Sequence, residues 1–552
     1  MMKNKICRTA FAVLLVSLSC QKKQMRLQNV QKATIDLQNY ISPLRVGLAD
    51  VSTPLRIAIK ALDDRLDLPD GEIYTFSVYL NGKLQYEKEI EKDFELDMVG
   101  NNLIIPINWA IYADQMYSLQ FSIHQKLNAQ NVLMYQGTVF IEVEKYTLRT
   151  QEDLAGIANF DLAGNYKLGN NIVLNKPFKP IALCQFVLNI SDFSIQSGHV
   201  ILQQGYQNCT PFSGQLNGKG YTISNLQITD YTAYSGVGLF GVIDGKNAGV
   251  ENLTLEIGVV SGNNLVGALA GFVRSDRKFK NIKIKSTHQA YHQENVKGSG
   301  SYFGGAIGFF APYTANYNAI LLENIHSNVN VSGGALVGGL VGASLVSMSA
   351  LRYANTSHHR IFGTRKHIGG LVGFLDNASL RFSDSGADIG ADPSASGIGG
   401  LVGTMRGKDA RISDAYHYHL VQAQQGDFNL GQLNTYRKIE GGNYVAGLVG
   451  QIASDVPAGA LQYVYVDSYN IEVLQSAGVR NIFCQNEEQF SYVQNAFYSM
   501  RFIPKTFAGL VRQIDKNTAN LQHFTALGFD MFGLWTWQAN TLGSYPTLNF
   551  YW

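Results

Sequence analysis

Three groups of side chains in this sequence have types and spacings suited to handling a sugar polymer. The first is the segment from Arg274 to Lys285, which holds six basic residues and one acid. Ile282 and Ile284 alternate there with Lys283 and Lys285, so a strand over them would present one apolar and one cationic face. Arg277, Lys278, Lys280, Lys283 and Lys285 are therefore candidates to attract acidic polysaccharide, lipopolysaccharide or another anionic glycan. The plainer alternative is an exposed strand kept soluble by lysine. The second group is Tyr463, Tyr465 and Tyr469, spaced along one strand face, where rings stack on sugars or simply pack. The third is Asp384, Asp388 and Asp414. Hydrolysis of a glycosidic bond needs two carboxylates ~5–9.5 Å apart, and neighbouring repeats could converge such a pair. Aspartates are equally at home in turns.

Other motifs carry less. Gly236-Val-Gly238-Leu-Phe-Gly241 matches the G-x-G-x-x-G string of dinucleotide sites, but turn residues and another strand follow it where such a site needs a helix. His417 and His419 fall on one strand face, and His358, His359 and His367 lie nearby in the sequence. No Cys or carboxylate stands at ligand spacing, so a solvated face is the simpler reading and no metal is expected. Neither H-E-x-x-H nor G-x-S-x-G occurs, so zinc-peptidase and serine-esterase chemistry lack their signatures.

What must position these residues is a repeat. Seven glycine-rich strings close at Gly241, Gly271, Gly308, Gly342, Gly373, Gly403 and Gly450, most of them spelling Gly-Leu-Val-Gly or a near variant. A period near 30 residues with variable insertions marks stacked coils, each burying its apolar side on the next. Such a coil divides into about three short strands with turns. Leu, Val and Ile at matching positions would form a continuous core, with Leu216, Ile223 and Leu226 pointing inward in the first coil. Thr150-Gln-Glu-Asp153 reads as a helix N-cap, followed by apolar residues at helical spacing. That helix would cover the open end of the stack. Asp515 to Gly528 reads as a second short helix, and Phe550-Tyr551-Trp552 as the closing cap.

Before the repeat, residues 32–145 alternate apolar and polar side chains at period two, with an Asn81-Gly82 hairpin turn between Leu80 and Leu84. A β-sandwich of this size is expected, serving as a stalk or spacer. With 552 residues, 55 glycines, 16% charged residues and a net charge of +2, the chain reads as a β-rich extracellular protein with no general attraction for nucleic acid.

The N-terminus is similar to a bacterial lipoprotein signal peptide. Lys3, Lys5 and Arg8 precede a short apolar run from Ala10 to Leu18, then Ser19-Cys20. The resemblance implies cleavage after residue 19, lipidation of Cys20, a tether over 20–31 and, from Gln21, sorting to the outer membrane. Of the remaining cysteines, Cys184 and Cys209 flank one insertion and are disulfide candidates, with two separate thiols the alternative. Cys484 is left over as a buried thiol.

From 146 to 552 the chain resembles the GLUG-repeat family of bacterial surface proteins. The resemblance rests on FSGQLNGKGYTISNLQI, then VGLFG, ENLTL, VGALAG and the later GGLVG copies, with GLWTW and GSYPTL near the end. Together these readings predict an all-β chain: a right-handed parallel β-solenoid preceded by an N-terminal β-sandwich. The function they imply is that of a surface-anchored, non-catalytic adhesin or envelope scaffold that binds glycan or protein. Specificity is expected in the inserted segments 185–208, 309–320 and 405–440. A polysaccharide lyase or hydrolase is the alternative, and no cofactor is expected.

Overall fold

The computed structural model describes residues 33–499 apart from 35–37, 39, 59–71, 91–97, 100–101, 128–129, 185–192, 197–198, 203–208, 288–293, 315–318, 354–359, 418–438, 442, 468–470, 474–479 and 482–491, together with 511–513, 535–540 and 543–548. Cys20 and its leader, His358, His359, His419, Tyr469, Cys484, the expected helix over 515–528 and the cap at 550–552 lie outside the described residues. The chain falls into two compact units, 1–146 and 147–552.

The first unit is the expected sandwich. One sheet orders strands Ala33–Thr34, Gln130–Val143, Met116–Leu127, Tyr74–Leu80 and Lys83–Ile90. The other orders Ile41–Ser42, Leu55–Ile57, Asn102–Ile105 and Met98–Val99. Period-two patterning places Phe76, Val78, Leu119, Ile123 and Ile141 of the first against Leu55, Ile57, Leu103 and Ile105 of the second. Burial of each such side chain contributes roughly 1.5–3 kcal/mol. Asn81 and Gly82 turn the hairpin with φ of 46° and 76°, the left-handed pair that suits a two-residue turn.

The second unit is a parallel β-solenoid. Its cap is the helix Gln151–Phe160, where the Thr150 hydroxyl accepts from the Asp153 N–H and the Asp153 carboxylate accepts from the Thr150 N–H. Each full coil has four strands rather than the three expected. One coil runs Ile320–Asn328, Val331–Gly333, Ala335–Gly338 and Val341–Ser344. The next runs Ser347–Tyr353, Arg360–Gly363, Lys366–Gly369 and Val372–Asp376. Strands stack in parallel register on their counterparts, so that Val266, Phe303, Val337, Ile368, Ile398 and Val445 form one buried column.

The fourth strand is what the period alone leaves out, and the glycine string explains it. Gly338 ends the third strand, Gly339-Leu340 makes the corner, and Val341 starts the fourth. The string is thus a corner, with only its last residues in a strand. Its closing glycine lets the fourth strand press on the preceding coil: a Cβ at Gly342 would stand 2.5 Å from Gly308 O and 2.6 Å from Phe303 N.

Two further columns are left-handed. Leu265, Tyr302, Leu336, His367, Gly397 and Tyr444 precede successive members of the buried third-strand column, each with φ between 51° and 72°. In the first strand of each coil the left-handed position carries Asn252, Asn281 and Asn324, with φ of 55°, 55° and 56°. Asparagine tolerates this conformation, and its amide can bond to the next coil. Asn324 donates to Asn281 at 2.8 Å, Asn281 to Asn252 at 2.7 Å and Asn252 to Asn217 at 3.3 Å, a ladder along the stack. Ala350, Phe382, Asp414 and Tyr463 continue the bend without the ladder.

Candidate functional site

The basic segment forms the first strand of its coil, Phe279–Ser286, with Ile282 and Ile284 buried and Lys283 and Lys285 exposed, as the alternation requires. Neighbouring coils change its electrostatics. Lys280 stacks between Glu251 and Glu323, and Lys285 lies in register with Glu256. Lys280 Nζ is 3.5 Å from Glu251, and Lys278 is paired with Glu323. Arg277 lays its aliphatic stem over Gly249, where a Cβ would stand 2.7 Å from Arg277 Cδ. Cationic along the chain, this face gains carboxylate neighbours from the stack at Lys280 and Lys285, whereas Lys283 stands between Thr254 and His326. Its exposed pairs contribute little to stability, but they reduce the field that would draw an anion.

The three aspartates stand in three different settings. Asp384 is fully buried and accepts from Arg352 Nε of the previous coil at 3.0 Å. Arg352 in turn stacks on His326, and His326 on Lys283. Burial, with Arg352 and Lys283 nearby, pushes the His326 imidazole down to about 3, so it is neutral. Asp388, also buried, opens the next strand and helps raise the pKa of the buried Tyr353 phenol, whose main cause is burial itself. Asp414 is half-buried at the left-handed bend, with φ of 52°. Two of these carboxylates are thus closed inside the wall, whereas attack on a sugar ring needs carboxylates that the ring can reach.

Inside the solenoid one column is polar. Ser327, Tyr353, Ser385 and His417 are in register and buried. They face the second glycine of successive strings: a Cβ would stand 2.6 Å from Ser327 Oγ at Gly305, from Tyr353 Cδ2 at Gly339 and from His417 Cγ at Gly400, and would collide with Ser385 Oγ at Gly370. The paired glycines therefore make room for polar side chains in an aliphatic interior. Tyr353 Oη donates to Val329 O at 2.7 Å. Burial pushes His417 down to about 4, against the opposing pull of backbone bonds to Gly400 and Ser385. Among the described residues no group of three His, Cys, Asp or Glu is placed to hold a metal ion.

Tyr463 occupies the left-handed bend, with φ of 50°, and is half-buried there. The bend breaks the alternation on which a shared face with Tyr465 depends. Tyr465 lies in register with Tyr416, and its side chain is outside the described residues. Cys184 and Cys209 are bonded, with their Cα atoms 5.1 Å apart. Cys184 packs with Val242, Phe272 and Phe309 in an apolar cluster. Two expected insertions shrink: Phe309–Ala311 and Met405–Arg406 belong to fourth strands, and Arg411–His417 is a first strand.

The cross-coil ion pairs were not visible along the chain. Arg274 binds Asp244 through two bonds of 2.8 Å, and Arg406 pairs with Asp376 while lying over the Phe374 ring. His367 Nδ1 lies 2.6 Å from Thr404 Oγ1. Arg365 and Lys366, unremarkable in sequence, sit exposed at the corner between the second and third strands.

No family model matches the chain. It is 32% identical over 182 residues to Halomucin of Haloquadratum walsbyi, a match covering 32% of this chain and 2% of that protein's length. Among solved structures, the catalytic domain of a GH87 α-1,3-glucanase in complex with nigerose aligns at 12% identity over 78% of this chain and 83% of its own, with a TM-score of 0.16.

Proposed function

We propose that this chain is a lipid-anchored envelope protein of the GLUG-repeat type. Its solenoid works without catalysis, as an adhesin or scaffold that binds glycan or protein along its outer faces. One observation carries this reading. Among the described residues, several carboxylates that could do acid–base chemistry are instead paired with arginines of neighbouring coils, as in Arg352–Asp384, Arg274–Asp244 and Arg406–Asp376, and Asp388 is buried. A stack of this kind offers a long, regular surface, on which many weak contacts add up for a polymeric or multivalent partner.

The experiment is a glycan array probed with the purified, lipid-free chain, followed by overnight incubation with each polysaccharide retained. Saturable binding with no new reducing or unsaturated chain ends is the expected result. Release of shortened products would replace this reading with that of a lyase or hydrolase, and absence of binding to every glycan and envelope protein tried would remove it.

A further inference from the structure

The lysine stripe is partly neutralised by its neighbours, and a corner one coil beyond Ile320–Asn328 differs in this respect. Arg365 lies between strands Arg360–Gly363 and Lys366–Gly369, Lys366 opens the second of them, and both are exposed. In the stack Lys366 stands in register with Ser396, with Asn443 beyond, where Lys280 has Glu323 on the following coil. Arg365 is held in place. Its guanidinium donates to Gly300 O at 2.8 Å and Ser299 O at 3.2 Å, reaching back across Gly334. That anchoring uses one terminal nitrogen and fixes the plane of the fork before any ligand arrives, which lowers the entropy lost on binding. Asp392 is bound at the same corner through its N–H to Gly363 O, leaving the two cations in excess over it. The neighbouring His367 reports the local field: after burial, Lys366 and Arg406 are the groups that push its imidazole down, to about 4.

We propose that the Arg365–Lys366 corner, rather than the lysine stripe, is where the solenoid holds an anionic polysaccharide through its carboxylate or sulfate groups. This rests on the glycan-binding reading above. The guanidinium plane suits a carboxylate or sulfate, and Ser396 stands in register with Lys366 and donates its N–H to Arg365 O. The backbone corner recurs from coil to coil at a spacing of about 4.8 Å, but Gly334-Ala335 and Ala395-Ser396 carry no cation there, so an extended chain along the axis would set its acidic group on this one corner.

Retention of the lipid-free chain on immobilised heparin tests this, with dextran as the neutral comparison and anionic phospholipid vesicles as a second surface. Wild type should be retained by heparin, released by salt, and ignored by dextran and vesicles. Arg365→Gln with Lys366→Gln should weaken heparin binding about tenfold, whereas Lys283→Gln with Lys285→Gln should change it little. Arg365→Lys should be weaker than wild type while keeping the charge, which separates fork geometry from charge alone. Unchanged thermal unfolding of each variant establishes that the fold is intact. Equal retention of wild type and the Arg365/Lys366 variant overturns this inference and leaves glycan binding standing. A larger loss in the Lys283/Lys285 variant also overturns it. Binding to vesicles but not heparin overturns the assignment to glycan, and a wild type retained by neither heparin nor dextran overturns this inference, while the array of glycans and envelope proteins decides the reading it rests on.

Discussion

Gly400 and His417 meet face to face inside the solenoid: a Cβ on Gly400 would stand 2.6 Å from His417 Cγ. The same relationship holds one and two coils earlier with Ser385 at Gly370 and Tyr353 at Gly339. The doubled glycine of the repeat is thus matched to the side chain it faces, and the match extends over several coils.

Gly400→Ala should lower stability by about 1–3 kcal/mol, the usual cost of forcing extra atoms into a packed interior. The added carbon would also collide with Gly447 O of the next coil. Gly258→Ala is the comparison, because its Cβ would first meet the flexible Gln227 side chain, at 3.3 Å. Urea unfolding followed by a probe in the solenoid should show a clear drop for the first and little for the second. Equal midpoints would mean that the corner relaxes freely and that the glycine pair is not required there.

Acid should loosen the same coils. His417 is 4% exposed and burial holds it at about 4, so the folded protein keeps the imidazole neutral. The unfolded chain takes up that proton below its ordinary value near 6.5. A base with a depressed folded pKa contributes its full stability above pH 6.5 and loses it as the pH falls toward 4. The size is about 3 kcal/mol for this residue, and His367 acts in the same direction. Thermal unfolding at pH 7 and pH 4.5 should show a smaller loss in His417→Asn than in wild type. Identical losses would assign the acid sensitivity to other groups.

Cys20→Ala should release the protein from membranes and abolish labelling by a lipid analogue, because a single diacylated cysteine would be the attachment. Cell fractionation with metabolic lipid labelling reads this directly. A variant that stays membrane-bound and labelled would refute lipidation at Cys20.

Much of the architecture was legible in the sequence because the physics behind it is local. Alternation at Ile282, Lys283, Ile284 and Lys285 placed each side chain on the correct face. Thr150 and Asp153, three residues apart, marked the capping helix, and Asn81-Gly82 marked the hairpin. Cys184 and Cys209 were candidates from the insertion they bracket, and they are bonded. The fourth strand was less legible. The period predicted about three strands per coil, and the Gly-Leu-Val-Gly string supplies the corner that leads into a fourth, because glycine's missing Cβ lets two backbones approach there.

The candidate site was the least legible part. Tyr463 and Asp414 were read as regular strand or turn positions, yet they share one left-handed column whose first members are asparagines. That column appears only once coils are in register, and unequal insertions hide the register. Lys280 meets Glu251 from the coil before and Glu323 from the coil after, across gaps of different length. One-dimensional order therefore specifies which face a side chain takes, through the period of the strand, and that the coils stack, through the recurring glycines. Which charges become neighbours is settled only by stacking, because hydrogen-bonded register sets coils about 4.8 Å apart and brings distant stretches of chain to that spacing. It is this pairing that reduces the field around Lys280 and Lys285 and sets Lys366 beside Ser396.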